Sequence, residues 1–196
     1  MKSLRLIALS TIIAFAACKP GVTKQVLIIA KGDISAEGNN VTLKGSSGAS
    51  DKMIELSDET SLEVTTPTGT SSISIPAETG FSIVNLRADT LVGSQQMIGT
   101  SLGGRTIMQE ELKGMIDSLN LLLTGANVKS ENHNYMVLPS KAVKVSANPK
   151  AKVFGPFTKI PGTLDADENG KAPEIYKFYT NNEMREVIAN LKKQTI

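Results

Sequence analysis

The sequence has very little of the residues on which chemistry most often depends. Among 196 residues there is one Cys, one His and no Trp, and aromatics make up 4%. A lone Cys forms no internal disulfide and supplies no thiolate cluster for a metal. A lone His leaves a Ser–His–Asp triad one imidazole to draw on. No G-x-S-x-G motif accompanies it, since Gly45-Ser46-Ser47-Gly48 has the wrong spacing. Excess charge of one sign is missing too: 21 Lys and Arg stand against 19 Asp and Glu. That balance gives no broad electropositive footprint, so nucleic acid is not an expected partner. Long apolar runs are absent as well. The run Leu6 to Phe15 has ten residues, against the about 20 that a membrane-spanning helix needs.

What is present begins at the N-terminus. Lys2 and Arg5 form a basic head, the apolar run follows, and Ala16-Ala17-Cys18 closes it, which is the anatomy of an export signal. Phe15-Ala16-Ala17-Cys18 resembles the lipobox of bacterial lipoproteins, with Phe15 where that family prefers Leu. The resemblance implies a signal peptide over residues 1–17 that is cut before Cys18. It also implies a diacylglyceryl group on the Cys18 thiol and a fatty acyl chain such as palmitate on the new amino group. Two or three chains hold a protein on a bilayer where one holds it only marginally. The membrane is then the first expected partner, and this lipid the only expected prosthetic group.

Residues 18–24 read as a short tether. In that family an Asp after the Cys retains the protein in the inner membrane, and Lys19 stands there instead, which favours the outer membrane. No acid occurs before Asp33, so the acidic signal of surface export is missing and the periplasmic face is favoured. Without Lys2 and Arg5, 21 − 2 = 19 basic residues meet 19 acidic ones, so the mature chain is formally neutral.

The mature chain predicts an α+β fold. Over residues 25–100 the short β segments Val26 to Ala30, Val41 to Leu43, Lys52 to Leu56, Leu62 to Thr66, Ser71 to Ile75 and Phe81 to Leu86 are separated by turn residues. Their number and spacing predict an antiparallel, sandwich-like β part. Residues 101–196 form an α+β part, which either stands apart or packs with the first as one unit. Within it Thr106 and Gln109 form a capping box. Met108, Leu112, Met115, Ile116, Leu119, Leu122 and Leu123 share one arc of a helix that Gly125 ends. Extended segments follow around Tyr135 to Leu138, Ala142 to Val145, Val153 to Phe157 and Ile175 to Tyr179. A last helix starts near Asn181 behind a Thr180–Glu183 capping box.

Three constellations bear on function. Gly99 to Thr106 has phosphate-loop spacing, but Arg105 replaces the Lys and no Asp-terminated strand follows to hold magnesium. A loop entering a capped helix explains it, and nucleotide is not an expected ligand. Asp165, Asp167 and Asn169, followed by Gly170, have the alternation of an EF-hand calcium loop. Its twelfth position is Tyr176 where a bidentate Glu belongs, so Ca2+ is a weak candidate. Finally Lys141, Lys144, Lys150, Lys152 and Lys159 follow one another with no acid between Glu131 and Asp165. Six of the mature chain's seven aromatics, among them Phe154 and Phe157, lie after residue 130. Lys141, Lys144, Lys150, Lys152, Phe154 and Phe157 are therefore candidates for a surface that meets an acidic ligand: lipid headgroup, anionic glycan or partner protein. A solvated lysine face over an aromatic core is the plainer reading. His133 lies in a polar loop with no second His to share a metal.

Thr66-Pro67-Thr68-Gly69, then Ile75-Pro76 and Thr79, is similar to a stretch of the FecR family, β-rich periplasmic sensors. That resemblance covers about twenty residues and implies a sensing role. The sequence as a whole points to a lipid-anchored envelope protein with a non-catalytic binding or scaffolding module for an envelope protein or glycan. An envelope hydrolase with a paired carboxylate site is the alternative, although no pair among the 19 acids is singled out.

Overall fold

The computed structural model describes residues 24–96, 109–164, 166, 170 and 172–194. The lipobox, the tether up to residue 23, the phosphate-loop stretch, Thr106, Met108 and the calcium candidates Asp165, Asp167 and Asn169 lie outside them. In chain order the elements are β1 (Lys24–Glu37), β2 (Asn40–Leu56), β3 (Ser61–Thr66), β4 (Gly69–Ser74), β5 (Gly80–Asn85) and β6 (Leu91–Gln96). They continue with α1 (Gln109–Thr124), β7 (Asn134–Val137), β8 (Lys141–Ser146), β9 (Lys152–Phe154), β10 (Ile175–Thr180) and α2 (Asn181–Lys192). The fold is α+β and mostly β.

Two sheets interleave the halves of the chain. One has six strands in the order β4-β3-β2-β1-β5-β8, the other four in the order β7-β6-β10-β9. Strand β8 thus joins the sheet built by the first five strands, and β6 joins the sheet built by the last ones. Three pairings are parallel, β1 with β5, β2 with β3 and β9 with β10, and the first two correct the antiparallel neighbours that the sequence predicts over residues 25–100. Turn residues reveal hairpins, and a parallel partner arrives from elsewhere in the chain without a local signal.

The five-residue run Val26 to Ala30 sets the layering. Val26, Ile28 and Ala30 point into one core with Val41, Leu56, Leu62 and Ile73. Leu27 and Ile29 point into a second, with Phe81, Ile83, Tyr135, Tyr176 and Phe178 between the two sheets. A continuous apolar strand buried on both faces follows directly from such a run. The first core is enclosed by the six-stranded sheet itself, which curls. The curl has a visible cause. Between Lys31↔Ala49 and Asp33↔Lys44, β1 spends one residue, Gly32, while β2 spends four, 45–48. Gly32 has φ +91°, and a Cβ there would lie 2.7 Å from the Lys44 carbonyl oxygen. This bulge merges the predicted segments Val41 to Leu43 and Lys52 to Leu56 into one bent strand.

The helices cover the far face of the four-stranded sheet. Leu112, Ile116 and Leu122 of α1 meet Met184 and Ile188 of α2 over Val92, with Leu119 and Leu123 partly buried beside them. Met115, predicted on the buried arc, is 46% exposed at its rim. Gly125 ends α1 as predicted: its N–H donates to Leu122 O and that of Ala126 to Leu121 O. Helix α2 has the predicted capping box, with Glu183 N donating to Thr180 Oγ1 at 3.2 Å and Thr180 N to Glu183 Oε2 at 2.8 Å. Thr66↔Gly69 closes a two-residue hairpin over Pro67 and Thr68.

Glycines 80 and 114 give predictions of opposite sign. Gly80 has φ +135°, and a Cβ there would lie 2.2 Å from Ser146 O. Gly80→Ala is expected to cost roughly 3 kcal/mol or more. Gly114, exposed in mid-α1 with nothing within 4 Å, should become more stable by about 0.5–1 kcal/mol as Ala. Urea unfolding of both variants measures the two signs.

Candidate functional site

The end of the molecule where β1 and β5 begin carries a cleft of about 550 Å3 between the turn before β7, the end of β8 and the start of β10. A polar chain forms its floor. Tyr176 Oη donates to Glu174 Oε1, and Ser146 Oγ donates to Glu174 Oε2 at 2.9 Å. Ser146 Oγ in turn accepts from Asn148 N at 2.9 Å, and Tyr135 Oη donates to Val145 O at 2.6 Å. The rings of Tyr135 and Tyr176 meet edge to face at 5.8 Å and 75°, a favoured aromatic geometry. Burial pushes both phenols above their ordinary value, and the Glu174 carboxylate adds to this at Tyr176. The cleft also has a cation and an imidazole. Lys144 lines it, with its Nζ 3.9 Å from Glu78 in a pair whose side chains are 31% and 71% exposed. His133 caps the 3-10 turn Ser130–Asn132 in a left-handed conformation and lines the cleft from that side.

Of the candidate basic and aromatic surface residues Lys141, Lys144, Lys150, Lys152, Phe154 and Phe157, Lys144 alone lines this cleft; His133, Tyr135 and Tyr176 line it as well. Lys141 is exposed at the opposite end of β8, Lys150 is exposed in the loop before β9, and Lys152 is exposed where β9 opens. Phe154 is half-buried. Phe157 is 46% exposed under the Arg87 guanidinium, 5.2 Å from the ring centre. Arg87 is fixed over it by Asp89, 2.7 Å from Arg87 Nε to Oδ1. Tyr135, Tyr176 and Phe178 belong to the core between the sheets. Among the described residues no three His, Cys, Asp or Glu side chains gather as metal ligands.

The sequence reading missed Glu174, Ser146 and Lys177. Lys177 lies in the otherwise apolar β10 and is buried. Its ammonium donates to the carbonyl oxygens of Gly155 at 2.5 Å, Thr158 at 2.9 Å and Pro156 at 3.1 Å, and lies 5.0 Å from the Tyr179 ring centre. All three of its protons are thus used. Thr158 Oγ1 donates to Asp51 Oδ2 at 2.6 Å, tying the same turn to β2. The available signal was a single Lys inside Ile175 to Tyr179, which a buried strand tolerates only when the charge has partners.

Two predictions follow from these buried groups. Lys177→Met leaves the Gly155 and Pro156 carbonyls without their donor and should cost roughly 2–4 kcal/mol in urea unfolding. Alkaline pH should also destabilise the fold. Burial raises the phenols of Tyr135, Tyr176 and Tyr179 above 10.0, so above about pH 10 the unfolded chain loses protons that the folded one keeps. Burial lowers Lys177 from 10.5, which works the other way with one proton. Stability should therefore fall as pH rises past 10, by at most about 1.4 kcal/mol per pH unit for each net proton. Urea midpoints across that range, with tyrosinate absorbance on the same samples, check the slope.

The chain matches no family model, no curated protein and no solved structure.

Proposed function

We propose that the protein is a lipid-anchored component of a bacterial cell envelope whose mature domain is a non-catalytic binding module. The observation that carries the reading is Phe15-Ala16-Ala17-Cys18 directly behind the basic head and ten-residue apolar run. Diacylglycerol on the Cys18 thiol and an acyl chain on its amine provide two or three chains, enough for stable attachment. No helix among the described residues is long and apolar enough to cross a membrane. Lys19 and the absence of acids before Asp33 favour the outer membrane and its periplasmic face.

Binding rather than hydrolysis is favoured by the state of the cleft. Among the described residues that line it Glu174 is the only carboxylate, and both of its oxygens already accept hydrogen bonds. Acid–base hydrolysis of a glycoside needs two carboxyl groups flanking the scissile bond. A rigid floor, a cation at the rim and apolar walls are the features of a recognition site. An envelope lipid, glycan or protein is the proposed class of partner.

Cys18→Ala tests the anchor. In cells fed labelled palmitate, the variant should lose all label and leave the membrane fraction. Label and membrane fractionation equal to the parent would overturn the reading.

A further inference from the structure

We propose that the cleft binds the zwitterionic headgroup of a membrane lipid, one that carries a primary ammonium and a phosphate. The proposal deepens the anchored-module reading and rests on it for the orientation of the cleft. Both charges needed line the cleft. Glu174 has accepted two hydrogen bonds, while a carboxylate offers about four lone-pair sites, so it can accept further donors from a primary ammonium in the cleft. Lys144 supplies the opposite charge. Its contact with Glu78 is long and exposed, the kind of ion pair worth little in water, and a phosphate makes stronger, charge-assisted hydrogen bonds to an ammonium. Ala147 is exposed at the wall and the edges of Tyr135 and Val145 reach it, apolar surface suited to the methylenes and glycerol between the two charges.

The position of the cleft agrees. Residue Lys24 opens β1 opposite Gly80, Gln25 pairs with Phe81, and Phe81 pairs with Ser146 of the cleft floor. Two strand spacings, about 10 Å, separate the start of the domain from the cleft. Six residues further back is Cys18, and six residues span at most about 20 Å. Lipid on Cys18 therefore holds this end of the molecule, cleft included, at the bilayer surface.

The absence of Trp supplies the assay. The chain has three Tyr, two of them in the cleft, so with Tyr179→Phe the tyrosine emission reports on the cleft alone. The full lipidated protein is placed in phosphatidylcholine nanodiscs and titrated with glycerophosphoethanolamine, glycerophosphocholine, ethanolamine or inorganic phosphate. Saturable emission change with glycerophosphoethanolamine is expected, and binding at least tenfold weaker for each of the others, since a quaternary ammonium donates no hydrogen bond and each fragment lacks one of the two charged groups. Glu174→Gln should abolish the preference over glycerophosphocholine, and Lys144→Gln should weaken glycerophosphoethanolamine binding tenfold or more, with thermal melting as the check on folding. Nanodiscs containing phosphatidylethanolamine should suppress the response to the soluble headgroup.

No saturable change, equal binding of the two diesters, phosphate binding as tight as the diester, or parental behaviour of both variants overturns the proposal. An unaltered titration in phosphatidylethanolamine nanodiscs overturns it as well, because the cleft would then not reach the bilayer. Palmitate labelling of Cys18 is scored separately, so loss of headgroup binding with label intact sinks this proposal and leaves the anchor standing.

Discussion

The whole architecture depends on β1 being buried on both faces. Five successive residues, Val26 to Ala30, are each between 0% and 4% exposed, and alternate side chains serve different cores. The four larger side chains bring roughly 1.5–3 kcal/mol each from burial, which makes this strand the main seam between layers. A strand in that position has no solvent face, so everything else must supply cover. The six-stranded sheet curls over one side, and the four-stranded sheet closes the other. The helices then serve only the outer face of that second sheet.

Two consequences reach the candidate site. The parallel pairing of β1 with β5 puts the starts of both strands at one end, and β8 completes that edge by running back beside β5. The close approach of Gly80 to Ser146 locks the end of β8 there, which is where the cleft floor forms. At the other end the chain uses buried polar groups as ties. Asn85, fully buried, donates to the carbonyls of Val137 and Asp89 and accepts from Arg87 N, and Lys177 gathers three carbonyls of the 155–158 turn. Polar groups buried with their hydrogen bonds satisfied specify one arrangement, and the same groups without partners would destabilise it.

Legibility in the sequence followed the range of the interaction. The Thr180–Glu183 box, the Gly125 stop, the Pro67-Thr68 hairpin and the apolar arc of α1 were readable because each is decided within a few residues. Met115 was misplaced because periodicity locates an apolar face but not its rim. The lysine series was legible as a charge excess and not as a surface. Lys141 and Lys144 stand at different ends of β8, and only the second lines the cleft. Glu174 and Ser146 are 28 residues apart, and neither carries a sign of the other.

The proposed address rests on the sequence by itself, because a basic head, an apolar run and Cys18 form a linear signal that owes nothing to the folded domain. The sequence also determined the α+β class, the Gly125 end of α1 and the Thr180 start of α2, because capping and periodicity are local properties of the chain. Tertiary structure alone decided the interleaved sheets, the three parallel pairings and the assembly of Glu174, Ser146, Tyr176 and Lys144 around one cleft. Those depend on which distant strands meet, and that is settled by the two apolar faces of β1 seeking cover at once.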